Sequence, residues 1–198
     1  RATCNIHVGG SYGNKTAAGR RFIEHFGQLE LRISRRITLE NDDKTFTAAE
    51  TLEICEQVGA PMVLDLHHHA VNNPEGDEAE KLWPRIRKTW ERRFGSSLPP
   101  KIHISSPKSE SDPRGHADFV DPGPLVSFLL QIAPETPAID VMIEAKRKDE
   151  SLLRLMDDLR ALEAAGASFT VNGGASLEVL PDASKGSLQK ALQGASEE

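Results

Sequence analysis

The chain has 198 residues, 38% of them hydrophobic and 27% charged, and carries 24 Lys+Arg against 30 Asp+Glu for a formal net charge of −6. That composition argues against disorder and supplies enough apolar residues for one core, or at most two small ones. The longest apolar stretch, residues 125–133, still holds Ser127 and Gln131 and falls far short of the ~20 residues a membrane span needs.

In chain order, five short apolar runs read as strands, each ending in polar or ionisable residues. The first is 3–8. A helical pattern follows over 17–26, with Phe22, Ile23 and Phe26 on one side. The second strand is 36–40. The helix after it, 47–58, opens with Thr47 three residues before Glu50, the spacing of a capping box, and carries Ala48, Leu52 and Cys55. The third strand is 61–68, followed by a helix over 79–94 with Leu82, Trp83, Ile86 and Trp90. The fourth is 101–105, leading into a long, breaker-rich segment, 105–115, that reads as a binding loop. The fifth is 138–144, before a helix over 152–162 that Gly166 stops. This alternation predicts a parallel α/β sheet.

Residues 1–166 are thus expected to form one α/β unit. Residues 167–198, rich in Ser, Gly and Ala, read as a flexible tail. Cys4 and Cys55 stand alone, without a CxxC, which argues against a disulfide framework or a cysteine zinc site and points to a reducing compartment.

The ionisable residues gather at the strand ends. The first strand ends at His7 and the second at Glu40, followed by Asn41, Asp42 and Asp43. The third carries Asp65, His67, His68 and His69; the fourth Lys101 and His103, with His116 in the loop beyond; the fifth Glu144. In a parallel sheet those ends converge on one rim, where active sites sit. A single strand-end Asp or His is usually a cap or a surface group. Several imidazoles and buried carboxylates on one rim would repel one another and be poorly solvated, a cost that divalent cations remove. Side-chain alternation would let at most two rings of the HHH run face inward. Histidine and carboxylate without thiolate suit Mn²⁺, Zn²⁺ or Fe²⁺. Lys101 is two residues from His103 and shares its face, so its amine is expected to be neutral, ion-paired, or carboxylated by CO₂ to an anionic ligand. The acidic chain as a whole argues against broad electrostatic binding of nucleic acid.

TLENDD (38–43), VLDLHHH (63–69), PKIHISSP (100–107), GHADFVD (115–121) and DVMIEAKRKDESLLRL (140–155) together resemble the UV damage endonuclease family, over about residues 1–165. The resemblance implies a (β/α)₈ TIM-type barrel related to endonuclease IV, of which this chain would hold the last five βα units. Three strands, with one further metal-binding His and the residues that probe damaged bases, would precede residue 1. It implies an endonuclease that nicks double-stranded DNA immediately 5′ to pyrimidine dimers, 6-4 photoproducts and abasic sites. Metal-activated water attacks the phosphodiester, and the metals are two or three divalent ions, Mn²⁺ first and Zn²⁺ the other candidate. By motif the metal ligands are His7, Glu40, Asp65, His68, His103, His116 and Glu144. Glu40 and Glu144 are also catalytic, and so is Lys101, which stands where the family has a carboxylated lysine.

The cations outweigh these anionic groups, so the rim is positive despite the net charge of the chain. Lys15, Lys108, Arg114, Lys146 and Arg147 are the candidate DNA contacts, with Lys44 and Lys148 on the same loops. The more basic run 81–93 reads as an outer helix whose Trp83 and Trp90 pack on the sheet. No membrane and no obligate protein partner is expected. The location implied is the cytoplasm, on the nucleoid in a bacterium. The rival readings are a xylose-isomerase-like sugar isomerase or epimerase and a chain that binds metal or DNA without turning anything over.

Overall fold

The structure, a computed structural model, describes residues 2–172 and 176–180. The chain divides into two compact units, residues 1–103 with 138–142, and 104–137 with 143–198. The chain leaves the first unit within the fourth strand and returns to it for most of the fifth.

The first unit is built on a parallel sheet. Its strands are β1 (Cys4–His7), β2 (Ile37–Glu40), β3 (Met62–Asp65), β4 (Lys101–Ile104) and β7 (Asp140–Ile143), in the order β1-β2-β3-β4-β7. The central strands β2 and β3 are buried at every position, as the continuous apolar runs ITL and MVL require. β1 and β7 lie at the two edges and hold only exposed and half-buried residues.

Helices α3 (Ala48–Val58) and α5 (Ala79–Phe94) pack on the strands, and α1 (Lys15–Gly27) packs on α3. Two short helices, α2 (Leu31–Ser34) and α4 (Leu66–Val71), complete the unit. The capping box forms as its spacing predicts: the Thr47 hydroxyl accepts from Glu50 N, and the Glu50 carboxylate accepts from Thr47 N. The helix ends at Gly59, where φ is +68° and a side chain would be strained. Thr47→Ala is expected to cost about 1 kcal/mol of stability in chemical denaturation, with no change in the sheet.

The basic helix α5 turns its apolar stripe inward. Trp83, Ile86 and Trp90 are buried, and Trp90 Nε1 donates to Met62 O at 2.5 Å. Thr89 Oγ1 accepts from Met62 N at 2.9 Å, so two adjacent α5 side chains satisfy both backbone groups of one β3 residue. This is the packing expected for the outer helix.

On the exposed side of α5, Arg85 donates to both carboxylate oxygens of Glu56, at 3.1 and 2.7 Å. Those hydrogen bonds hold the Glu56 carboxyl below its ordinary range. A lowered acid stabilises the fold above its unfolded pKa, and that contribution is lost as pH falls through the folded value. In a carboxyl NMR titration, Arg85→Ala is expected to move Glu56 up towards the ordinary range. Cys55 is a free thiol at the inner side of α3, and burial pushes its pKa far up, which leaves it unreactive.

The second unit begins with a hairpin, β5 (Pro107–Ser109) against β6 (Asp112–His116). The segment read as an open loop is thus a two-stranded ribbon, turned at Ser109–Asp112. Helix α6 (Pro122–Ile132) follows, capped by Asp121 with Pro122 at its first position. It lies in the stretch noted only as apolar, because Leu125, Val126, Phe128, Leu129, Leu130 and Ile132 are all buried and leave no polar face to show a period.

Helix α7 (Asp149–Ala164) packs on α6 and on β8 (Phe169–Asn172). β8 pairs antiparallel with β9 (Ser176–Val179). Near the beginning of the segment read as a tail, two strands therefore pair, and Phe169 is 1% exposed. The rest of that segment, 181–198, lies outside the described residues.

Candidate metal centre

Five elements of the first unit deliver ionisable side chains to the carboxyl end of its sheet. The parallel register sets His7 opposite Glu40 on β1 and β2, and Asp65 opposite His103 on β3 and β4. Helix α4 supplies His68. The sequence reading ran the third strand through His68; instead the strand stops at Asp65. The Asp65 carboxylate accepts from His68 N at 2.7 Å and starts a helix. All three histidines of the HHH run are buried, on a helix rather than on alternating faces of a strand. Only His68 joins the cluster. His69 Nε2 lies 2.9 Å from Asp77 O, in the loop before α5.

Glu40 is the centre of the group. It is 4% exposed, and its Oε1 accepts no hydrogen bond among the described residues. That oxygen lies 3.2 Å from His103 Nδ1 and 3.6 Å from His68 Nδ1. One ligand atom each from His7, Glu40 and His68 falls within 4.8 Å of the others. Asp65, fully buried, brings Oδ2 to 3.8 Å from His68 Nδ1. A buried carboxylate oxygen without a hydrogen bond, among nitrogen donors, is costly unless a cation meets it.

The histidine tautomers fit the same reading. His68 Nδ1 lies 3.0 Å from Asn41 O, and His7 Nδ1 lies 3.3 Å from Glu40 O. A carbonyl only accepts, so a hydrogen bond to it places a proton on Nδ1 and makes Nε2 the nitrogen that a metal would use. The donor set fits a divalent transition ion.

Two residues beside the ligands were named in the sequence without a role. Asn41 is buried and clamps the backbone of Asp65: its Nδ2 donates to Asp65 O at 3.0 Å and its Oδ1 accepts from Asp65 N at 2.9 Å. Asp42 collects the backbone N–H groups of Lys44, Thr45 and Phe46 and shapes the turn after β2. Its carboxylate is committed to the loop.

Lys101 opens β4 rather than ending it. Its Nζ stands 3.9 Å from Asp140 Oδ2, an ion pair with β7 and one of the three outcomes open to its amine.

In the second unit, His116 ends β6 and Glu144 follows β7, with His116 Nδ1 4.0 Å from Glu144 Oε2. The Glu144 N–H donates to Ile104 O, which fixes the start of that loop. The candidate DNA contacts Lys108 and Arg147 pair with Asp112 (3.4 Å) and Glu150 (3.2 Å). Lys15, in the first unit, pairs with Glu50 at 2.6 Å. Arg114 and Lys146 are exposed, as are Lys44 and Lys148.

Residues 1–171 match the family model described as UV-endonuclease UvdE. A UV DNA damage endonuclease of Bacillus pumilus (strain SAFR-032) is 48% identical over 158 residues, which cover 80% of this chain and 48% of that protein. One of Bacillus velezensis is 48% identical over 162 residues, 82% of this chain and 50% of that protein. The crystal structure of SacUVDE is similar in fold, with a TM-score of 0.66 and 31% identity over 81% of this chain and 52% of that one. The chain spans about half the length of the curated relatives it matches.

Proposed function

The chain belongs to the UV-endonuclease UvdE family, and from that premise we propose that its protein is a DNA-repair endonuclease. It nicks double-stranded DNA immediately 5′ to UV lesions, namely pyrimidine dimers and 6-4 photoproducts, and to abasic sites. The observation that carries this reading is the buried Glu40 carboxylate ringed by His7, His68 and His103. Family membership favours it over the sugar isomerase.

His7, Glu40, Asp65, His68 and His103 would hold a divalent cation, Mn²⁺ before Zn²⁺. His116 and Glu144 offer a second pair of ligands. Such an ion, when bound, supplies Lewis acidity to a phosphodiester oxygen and lowers the pKa of water to ~7.

The chain's own groups do the rest. Glu40 and Asp65 supply the negative charge that retains the ion. The carbonyls of Glu40 and Asn41 hold the His7 and His68 rings through their Nδ1 nitrogens. No side chain needs to bond covalently to DNA. Uptake of CO₂ by Lys101 would replace an ammonium with a carbamate, end its pair with Asp140 and add an anionic ligand. Lys15, Lys108, Arg114, Lys146 and Arg147 are the proposed contacts to backbone phosphates. Three of these would exchange a carboxylate partner for a phosphate, which makes binding strongly salt-dependent. The implied location is the cytoplasm, on the nucleoid in a bacterium. Consistent with it, no helix among the described residues is long and apolar enough to cross a membrane.

The test is nicking of supercoiled plasmid by the purified chain. Relaxed circles are expected only from UV-irradiated plasmid with Mn²⁺, and none after chelation. Mn²⁺ binding without any nicking would favour the rival in which this chain binds but does not cut.

A further inference from the structure

Beneath the His7–Glu40 pair lies a polar layer that neither the core nor the metal ligands account for. Asn5 and Thr38 are directly opposite in the β1–β2 register, two residues before His7 and Glu40 on the same face. Thr38 is 1% exposed, and its hydroxyl donates to Asn5 Oδ1 at 2.9 Å. The Asn5 Nδ2 in turn donates to Glu40 Oε2. A chain of hydrogen bonds therefore runs from Thr38 through Asn5 to the carboxylate.

The direction of this chain matters. Turning the amide over would still satisfy Thr38, whose hydroxyl can also accept. It would, however, set Asn5 Oδ1 against Glu40 Oε2, two acceptors in contact across a buried and ionised group. In the orientation found, the amide instead donates an N–H to the carboxylate. It occupies Oε2 and leaves Oε1, the oxygen near His68 and His103, without a hydrogen bond.

A cross-link between strands would be redundant here, because β1 and β2 already pair through four register positions. A hydrogen bond to a charged acceptor, in contrast, is about twice as strong as a neutral one.

We propose that Asn5, oriented by Thr38, is a positioning residue for Glu40: it holds Oε2 and presents the ionised Oε1 to a divalent cation. This rests on the metal reading of His7, Glu40 and His68.

The test is Mn²⁺ affinity, followed by the loss of the free-ion electron paramagnetic resonance signal well below the melting temperature. Asn5→Leu is expected to weaken binding by about 10- to 100-fold, the usual effect of removing a group that orients a ligand. Thr38→Val keeps the volume and is expected to fold. Its loss should be smaller and in the same direction, which carries the test if Asn5→Leu does not fold. In a Glu40→Gln background, Asn5→Leu should add no further loss, because the two act through one oxygen pair. Unchanged Mn²⁺ affinity in both single variants overturns the proposal and leaves the metal reading standing. An unaltered chain that binds no Mn²⁺ overturns both.

Discussion

Glu40→Gln is expected to reduce Mn²⁺-dependent nicking of UV-irradiated plasmid by about 10³-fold or more, because Lewis-acid stabilisation of the transition state is worth several kcal/mol and each ~1.4 kcal/mol is tenfold in rate. The substitution keeps the shape of the side chain and removes only its charge. Gln also places an NH₂ where one carboxylate oxygen stood, facing either the Asn5 amide or the His68 and His103 nitrogens. Either arrangement sets donor against donor or denies the cation its ligand. Any fall in the melting temperature of the metal-free chain should be small beside the loss of nicking, since the weakened Asn5 bond is offset by neutralising a buried carboxylate oxygen that has no hydrogen bond among the described residues. Activity and stability thus move independently, and a simple folding defect would couple them. Nicking at the unaltered rate would remove Glu40 from the centre.

The largest effect on folding is expected from Trp90→Ala, about 3–5 kcal/mol in urea denaturation, the range for deleting a buried aromatic ring. The ring is 2% exposed, and its Nε1 is the donor to Met62 O. The alanine variant loses the ring's packing on β3 and leaves that carbonyl without its donor. Trp90→Phe retains most of the packing and should cost less, about 1–3 kcal/mol, chiefly for the unmet carbonyl. Circular dichroism is the suitable probe, because the substitution removes one of two tryptophans. A loss below about 1 kcal/mol in the alanine variant would mean that α5 does not anchor the sheet.

The strands and most helices could be read locally. ITLE and MVLD bury every side chain and read as short, mainly apolar runs that end in a carboxylate. The bounds of α5 follow from its amphipathic stripe, and the start of α3 from Thr47 and Glu50. Where the local pattern was mute, the reading stopped. Helix α6 is apolar on nearly every side and shows no period, and the β5–β6 ribbon is made of Pro, Lys, Ser, Asp and Gly, residues that also make loops. The HHH run looked like the end of a strand because Leu64 and Leu66 flank Asp65. The hydrogen bond from His68 N to the Asp65 carboxylate converts that end into a helix, and no hydropathy pattern records it.

The sequence by itself determined which residue types stand at the strand ends, and through the motifs around Glu40, Asp65 and His103 it pointed to the family. Those features depend on neighbours a few positions apart, and local periodicity carries them. The tertiary structure alone decided that Asp42 serves its loop, that Lys101 meets Asp140, that Asn41 clamps Asp65, and that Asn5 holds one oxygen of Glu40 while the other has no hydrogen bond. Except for that of Asp42, these partnerships join residues 24 to 39 positions apart. A buried polar atom takes whichever partner the packed strands bring within about 3 Å, and that choice exists only once the sheet has formed.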